Sequence, residues 1–194
     1  VENRHYVPMN SGGKFRRWYG NRDNVIKFDK KHFDLIEKNK GHRNPLFYFH
    51  PAATWTKITT GLFSVRLSEE GFINNDASMS IYEDSMDLHI LAGLLNSKTA
   101  QFFLSLLNES LNYTTGNISS IPVKKNGYEN VLGLVKKSCG ISKNDWDSFE
   151  ISWDFQQDPL VRYSRDLWDA TAIGATMNFF YHGEKQPFHS PMEL

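Results

Sequence analysis

The chain has one cysteine in 194 residues, Cys139, so no internal disulfide can brace it. A reducing, cytosolic setting is therefore expected. Runs of about 18 or more apolar residues are missing, so no membrane-spanning helix is expected. The first residues, Val-Glu-Asn-Arg-His, have neither the basic start nor the apolar stretch of a secretory leader. Without a leader, the glycosylation sequons at Asn108, Asn112 and Asn117 read as chance. The chain opens on Val1 rather than methionine and so reads as a piece of something longer. A Gly-x-x-x-x-Gly-Lys loop and a Gly-x-Gly-x-x-Gly turn are also missing, which leaves no recognisable nucleotide-cofactor cradle.

Net charge is lacking too, with 22 Lys and Arg against 22 Asp and Glu. That balance conceals an asymmetry. Residues 1 to 66 carry 13 basic and 5 acidic side chains, whereas residues 67 to 194 carry 9 and 17. The first third would steer a polyanion toward itself and the remainder would not. Any nucleic-acid contact should therefore be local or assisted by another domain. Apolar residues at 40%, with aromatics at 14%, supply a proper core for one large or two small domains.

The organising stretch is Ser11 to Asn21, Ser-Gly-Gly-Lys-Phe-Arg-Arg-Trp-Tyr-Gly-Asn. Gly12, Gly13 and Gly20 bracket three cations (Lys14, Arg16, Arg17) and three aromatics (Phe15, Trp18, Tyr19). Glycine permits positive φ or a close approach. Arginine can grip phosphate or a guanine edge through paired hydrogen bonds, and aromatic faces can stack on bases. The same composition suits a surface turn whose Trp and Phe plug a core while its charges face water. Composition alone favours that plainer reading.

Around this stretch the pattern predicts short strands at Val1 to Met9 (ended by Pro8), Asn24 to Phe28, Leu46 to His50, Thr54 to Thr60, Phe63 to Leu67, Phe72-Ile73 and Ser78 to Tyr82. Lys30 to Lys40 reads as a helix stopped by Gly41. At Asp84 the apolar period lengthens to about 3.6. Asp84 or Ser85 can cap a helix marked by Leu88, Leu91, Leu94 and Leu95. Asn96-Ser97 can cap the next, which carries Phe102, Phe103, Leu106 and Leu107. Asn112 to Asn117 reads as a loop, Ile118 to Val123 as a hydrophobic return, and Tyr128 to Ser138 as a helix stopped by Gly140. Ile141 to Pro159 reads as an ordered acidic segment packed through Trp146 and Trp153, Leu160 to Ala175 as helix, and the rest as loop. The expected class is α+β. A short-stranded mixed β-subdomain over residues 1–82 and a helical portion over 84–140 form one domain, followed by an acidic, Trp-bearing segment over 141–194.

Candidate chemistry is sparse. His182 and His189 near Glu184 show no zinc spacing, so no metal is expected. Glu83, Asp84 and Asp87 would need to converge with a lysine to run metal-dependent cleavage, and helix capping is the plainer reading. The lysines before Cys139 could lower its thiol, although such a cysteine more often packs.

Two blocks carry a resemblance. The first is Gly13 through Asn21, followed by Tyr48, Thr54-Trp55-Thr56, Phe63, Arg66 and Gly71-Phe72-Ile73. The second is Leu91 and Gly93-Leu94-Leu95-Asn96-Ser97-Lys98, followed by Phe102-Phe103, Leu111-Asn112, Gly116-Asn117-Ile118 and Ile121-Pro122-Val123. Both resemble the C-terminal part of the large adenine-specific DNA methyltransferases of phage-defence systems, the PglX proteins of BREX. Asp145 through Glu150, with Ser152-Trp153-Asp154-Phe155, resembles the next stretch of the same proteins. The second block is similar, more loosely, to the specificity subunits of type I restriction systems.

The resemblance implies a target recognition domain. It would hold double-stranded DNA while a methyltransferase domain, missing from this chain, binds S-adenosylmethionine and methylates an adenine flipped from the stack. The Asn-Pro-Pro-Tyr hallmark of that domain and its glycine motif are not in this sequence, so catalysis by this chain alone is not expected. With this context, the candidate DNA-binding residues are Lys14, Arg16, Arg17, Trp18, Tyr19, Asn21, Thr56, Lys57, Thr59 and Arg66. Those matching the family are better candidates for phosphate contacts or scaffold than for base readers. The alternative is a protein-interaction module whose acidic segment docks other proteins of the same defence system. An independent nuclease ranks below both. Residues 161–194 depart from the family pattern and inherit no function.

Overall fold

The computed structural model of this chain describes residues 5–41, 44–82, 86–108, 110–124 and 127–162. The alternating stretches form two three-stranded sheets with helices packed on them, an α+β arrangement. In the first sheet, β1 (Tyr6–Asn10) lies between β2 (Val25–Lys27), antiparallel, and β5 (Ile73–Asn74), parallel. Pro8 sits within β1 rather than ending it. The proline lacks an N–H on the side that β5 reaches only from Met9 onward. Helix α1 (Lys30–Lys38), capped by Asp29, packs Phe33 and Ile36 against Val7, Phe28 and Ile73. The expected strand at Leu46 to His50 is instead a 3-10 turn, Pro45–Phe47, capped by Asn44. Proline presets φ for such a turn.

The second sheet has β3 (Ala52–Thr56) between β4 (Val65–Ser68) and β6 (Ser78–Ile81), both antiparallel to it. Strand β3 stops before Thr60 because the chain changes partner. The Lys57 carbonyl accepts from Tyr113 N–H at 2.7 Å, and Thr59 N–H donates to the Leu111 carbonyl at 3.0 Å. The core on this sheet joins Trp55, Phe63 and Val65 to residues of α2 (Leu88–Leu95), α3 (Lys98–Leu107) and α4 (Thr115–Ser119). Asp87 caps α2 and Ser97 caps α3. The caps expected at Asp84 or Ser85, and Glu83 beside them, lie outside the described residues. Helix α4 replaces part of an expected loop, because Thr114 and Asn117 cap it reciprocally.

Helix α5 (Glu129–Trp146) departs most from expectation, since it runs through Gly140 to Trp146. An interior glycine costs about 1 kcal/mol. Burial of Trp146, 5% exposed, and the polar contacts of Ser142 and Lys143 outweigh that cost. Most of the helix expected at Leu160 to Ala175, and His182 and His189, fall outside the described residues. Among the described residues, no single helix is long and apolar enough to cross a membrane.

Two residues of the Leu-x-Gly-Leu-Leu-Asn-Ser-Lys block fix this packing. A Cβ on Gly93 would lie 2.7 Å from Val135 Cγ2, so α2 and α5 meet at a separation that glycine allows. The buried Asn96 side chain acts as a strand neighbour to β4. Its Oδ1 accepts from Val65 N–H and its Nδ2 donates to the Val65 carbonyl, each at 2.9 Å.

Gly93→Ala should destabilise the chain by about 1–3 kcal/mol through overpacking. Adding Val135→Ala should recover part of that loss, and a double-mutant cycle in urea would measure the coupling. Additive effects would contradict this packing.

Candidate nucleic-acid interface

The glycine-bracketed loop joins β1 to β2 and crosses the outer edge of β4. Five of its residues have positive φ: Gly12 (81°), Gly13 (110°), Trp18 (74°), Gly20 (120°) and Asn21 (55°). The space that glycine leaves is filled by the protein itself. A Cβ on Gly12 would lie 2.7 Å from the Ala77 carbonyl, one on Gly13 2.8 Å from Asn21 Nδ2, and one on Gly20 2.5 Å from Arg16 Nε. Asn21 Nδ2 donates to the Lys14 carbonyl at 2.9 Å and closes the loop on itself.

Trp18 enters the sheet. Its N–H donates to the Val65 carbonyl and its carbonyl accepts from Leu67 N–H, both at 2.9 Å. Beside these contacts it lines an apolar cavity of about 260 Å³ with Pro51, Leu67, Leu88 and Cys139. Tyr19 is 6% exposed, and its hydroxyl accepts from Arg22 and Lys143. Arg16 is committed inward, with Nε donating to the Tyr19 carbonyl, its guanidinium 4.9 Å over Trp146 and an ion pair to Asp145.

Arg66 is 3% exposed and lies behind the loop, where its NH2 reaches the Gly12 carbonyl and Thr56 Oγ1, both at 3.4 Å. Burial lowers its pKa to about 10, so the guanidinium stays charged at neutral pH. Thr56 Oγ1 donates to the Gly13 carbonyl at 3.0 Å. Lys57 pairs with Asp76, and Thr59 Oγ1 accepts from Gly61 N–H. The outward side of the loop is Lys14, Phe15 and Arg17. Lys14 is exposed, Phe15 is 48% exposed, and the Arg17 guanidinium lies 5.4 Å over the Phe15 ring. Arg17 is half-buried, and its Nε is buried with no hydrogen-bond acceptor among the described residues.

No sequence pattern points to what holds this loop. Helix α5 grips it from behind. Ser142 Oγ is shared between the carbonyls of Arg17, at 2.9 Å, and Tyr19, at 3.2 Å. Lys143 joins Tyr19 to Asp147 and Asp154. Burial opposes the Lys143 charge, but these hydrogen bonds raise its pKa above the ordinary value. A further buried cation, Arg22, sits between the Tyr19 and Phe72 rings, at 4.4 and 4.5 Å, and pairs with Glu69. The acidic segment packs through Trp146, which is buried, whereas Trp153 lies over Phe72 at 6.1 Å and stays 53% exposed. Cys139 packs, as the plainer reading expects, and burial pushes its thiol up to about 11 rather than the nearby lysines lowering it.

No protein-family model matches the chain. It is similar to the adenine-specific methyltransferase BrxX of Escherichia coli O9:H4 (strain HS), 32% identical over 168 residues, 85% of this chain and 14% of the relative. It is similar also to the adenine-specific methyltransferase PglX of Lacticaseibacillus casei (strain Zhang), 34% identical over 166 residues, 80% of this chain and 14% of the relative. The chain thus spans 14% of the length of these curated relatives.

Ser142→Ala should cost about 1 kcal/mol and loosen the loop locally. Amide exchange should then quicken at Trp18 and Tyr19 and stay unchanged in α1. The hydrogen bond from Lys143 holds the Asp154 carboxyl below its ordinary value of 3.8. Its contribution is therefore complete above that value and lost as pH falls through the lower folded one. Acid titration followed by near-UV dichroism should show this loosening, and Asp154→Asn should remove it.

Proposed function

We propose that this chain, a homologue of a segment of the BREX adenine-specific methyltransferases, is the DNA-reading module of such an enzyme. One observation carries the reading. The similarity to methyltransferases covers 80–85% of a chain that has none of the catalytic motifs of methyl transfer. A part with that ancestry and no catalytic apparatus is best suited to holding the substrate.

The methyl donor, S-adenosylmethionine, belongs to another segment of the enzyme. The loop glycines here do not fit it, because Ala77, Asn21 and Arg16 occupy the space they leave. The catalytic segment would supply the sulfonium methyl and move it to the exocyclic amine of adenine. The present chain would hold the duplex in register while the base leaves the stack.

Within the chain, Lys14 and Arg17 are assigned to phosphates and Phe15 to the groove or a sugar face. Arg17 suits this role because its guanidinium lies over the exposed Phe15 ring, beside the exposed Lys14. Arg16, Tyr19 and Arg66 serve as the frame behind them. Thr59 lies just beyond the end of β3 with the exposed Ile58 and Leu62, where a backbone could pass.

A second reading has its own support. Val131, Leu134 and Ile141 are exposed apolar residues spaced along α5, and Phe149 and Ile151 are exposed beyond it. That surface suits docking of another protein of the same defence complex. Co-purification with those proteins, with and without substitution of Leu134 and Ile141 by Ser, would detect it.

Duplex binding by the full 194-residue chain should weaken steeply with salt. Lys14→Ala and Arg17→Ala should each weaken binding to all sequences and lower the salt slope by about 1. Arg16→Ala should instead lower the thermal midpoint. Absence of salt-dependent binding at low ionic strength would refute the assignment.

A further inference from the structure

We propose that the cavity walled by Phe47, Tyr82, Asn74 and Ser78 is a pocket for one unpaired pyrimidine base. The source of that base, an extrahelical nucleotide in DNA, rests on the DNA-reading function above. The pocket itself rests on its own geometry.

The cavity opens beside β6, between the 3-10 turn and the start of α4, and measures about 140 Å³. A cavity of about 150 Å³ accepts a benzene ring. The space therefore suits one six-membered ring, and the second ring of a purine would project from it. Phe47 and Tyr82 stack at 4.7 Å with 15° between their planes, and Phe47 is partly exposed. They form an aromatic slab on which a planar ring can lie, the device by which unpaired bases are held.

The polar lining points to what the ring carries. Ser78 is 4% exposed, yet its Oγ has no hydrogen-bond partner among the described residues. The Asn74 side chain donates through Nδ2 to the Tyr82 hydroxyl, which leaves Oδ1 buried and, among the same residues, unpartnered. Ser80 also lines the cavity, and its Oγ is likewise unpartnered among the described residues. Buried polar groups are nearly always paired, so three orphans lining one cavity mark a missing ligand. Asn74 Oδ1 can only accept and the Ser78 hydroxyl can donate. A pyrimidine edge offers both complements on one ring, an N–H or amine beside a carbonyl.

The pocket lies next to the candidate interface. Asn74 and Ser78 flank the turn Asn75 to Ala77. On the other side of that turn, Asp76 pairs with Lys57 and the Ala77 carbonyl accepts from Lys57 N–H at 3.0 Å. The would-be Cβ of Gly12 meets the same carbonyl. A base leaving a duplex held by the loop would have this cavity within one turn of chain.

The deciding experiment is saturation-transfer NMR on the full chain with cytidine, thymidine and adenosine at equal millimolar concentration. Transfer to the pyrimidine nucleosides is expected, several-fold weaker transfer to adenosine, and loss of transfer in Phe47→Ala. Ser78→Ala should reduce transfer without lowering the thermal midpoint, since the deleted hydroxyl has no partner to lose. Absence of transfer to both pyrimidines, equal transfer to adenosine, or full transfer in Phe47→Ala would overturn the pocket. A duplex with one bulged cytosine should bind about fivefold more tightly than its paired counterpart, a preference that Phe47→Ala abolishes. Failure of paired duplex to bind would overturn the DNA-reading function and leave the nucleoside result to judge the pocket.

Discussion

The outer edge of β4 at Val65 is the constraint on which most of the structure depends. An edge strand exposes unpaired backbone groups that must find partners. Here one comes from each of the two blocks of sequence that carry the family resemblance. The Val65 carbonyl accepts from Trp18 N–H and from the Asn96 amide, and the Val65 N–H donates back to Asn96. The β1–β2 loop and the α2–α3 corner are thus joined through one residue of a third element. Their occurrence together in the chain has a physical reason, since each completes the hydrogen bonding of the same strand.

From that edge the remainder builds up in order. Asn96 fixes the corner, Ser97 starts α3, and Gly93 lets α5 lie against α2. Once α5 is in place, Ser142, Lys143, Asp145 and Trp146 reach the back of the loop. A loop with five residues at positive φ is costly to order, and these contacts offset that cost. Arg66 adds a charged post behind the loop whose acceptors there are a carbonyl and a hydroxyl.

Much of this was legible in the sequence. Period-two stretches located the strands, and the lengthening of the period after Ser78 to Tyr82 located α2 and α3. What was not legible depended on distant partners. Leu46 to His50 has strand composition, but Pro45 and the Asn44 cap turn it. Gly140 looks like a helix stop, and only the burial of Trp146 shows why it is not. The loop was the hardest case. Arg16 and Arg17 are chemically alike, yet one faces Asp145 and the other faces out, because Asp145 lies more than a hundred residues away. No local pattern distinguishes them. The acidic, Trp-bearing segment offered the nearest hint, since its aromatics announced that it packs.

The inward and outward residues of the loop interleave along the chain. Lys14, Phe15 and Arg17 face out, while Arg16, Trp18 and Tyr19 are tied to the sheet and to α5. Because the frame is completed by backbone groups and by α5, the outward three can be exchanged with repacking confined to the Arg17–Phe15 contact. Such a loop is a natural graft site. A small library at positions 14, 15 and 17 would sample new surface chemistries on an unchanged scaffold, with stability and specificity left to vary independently.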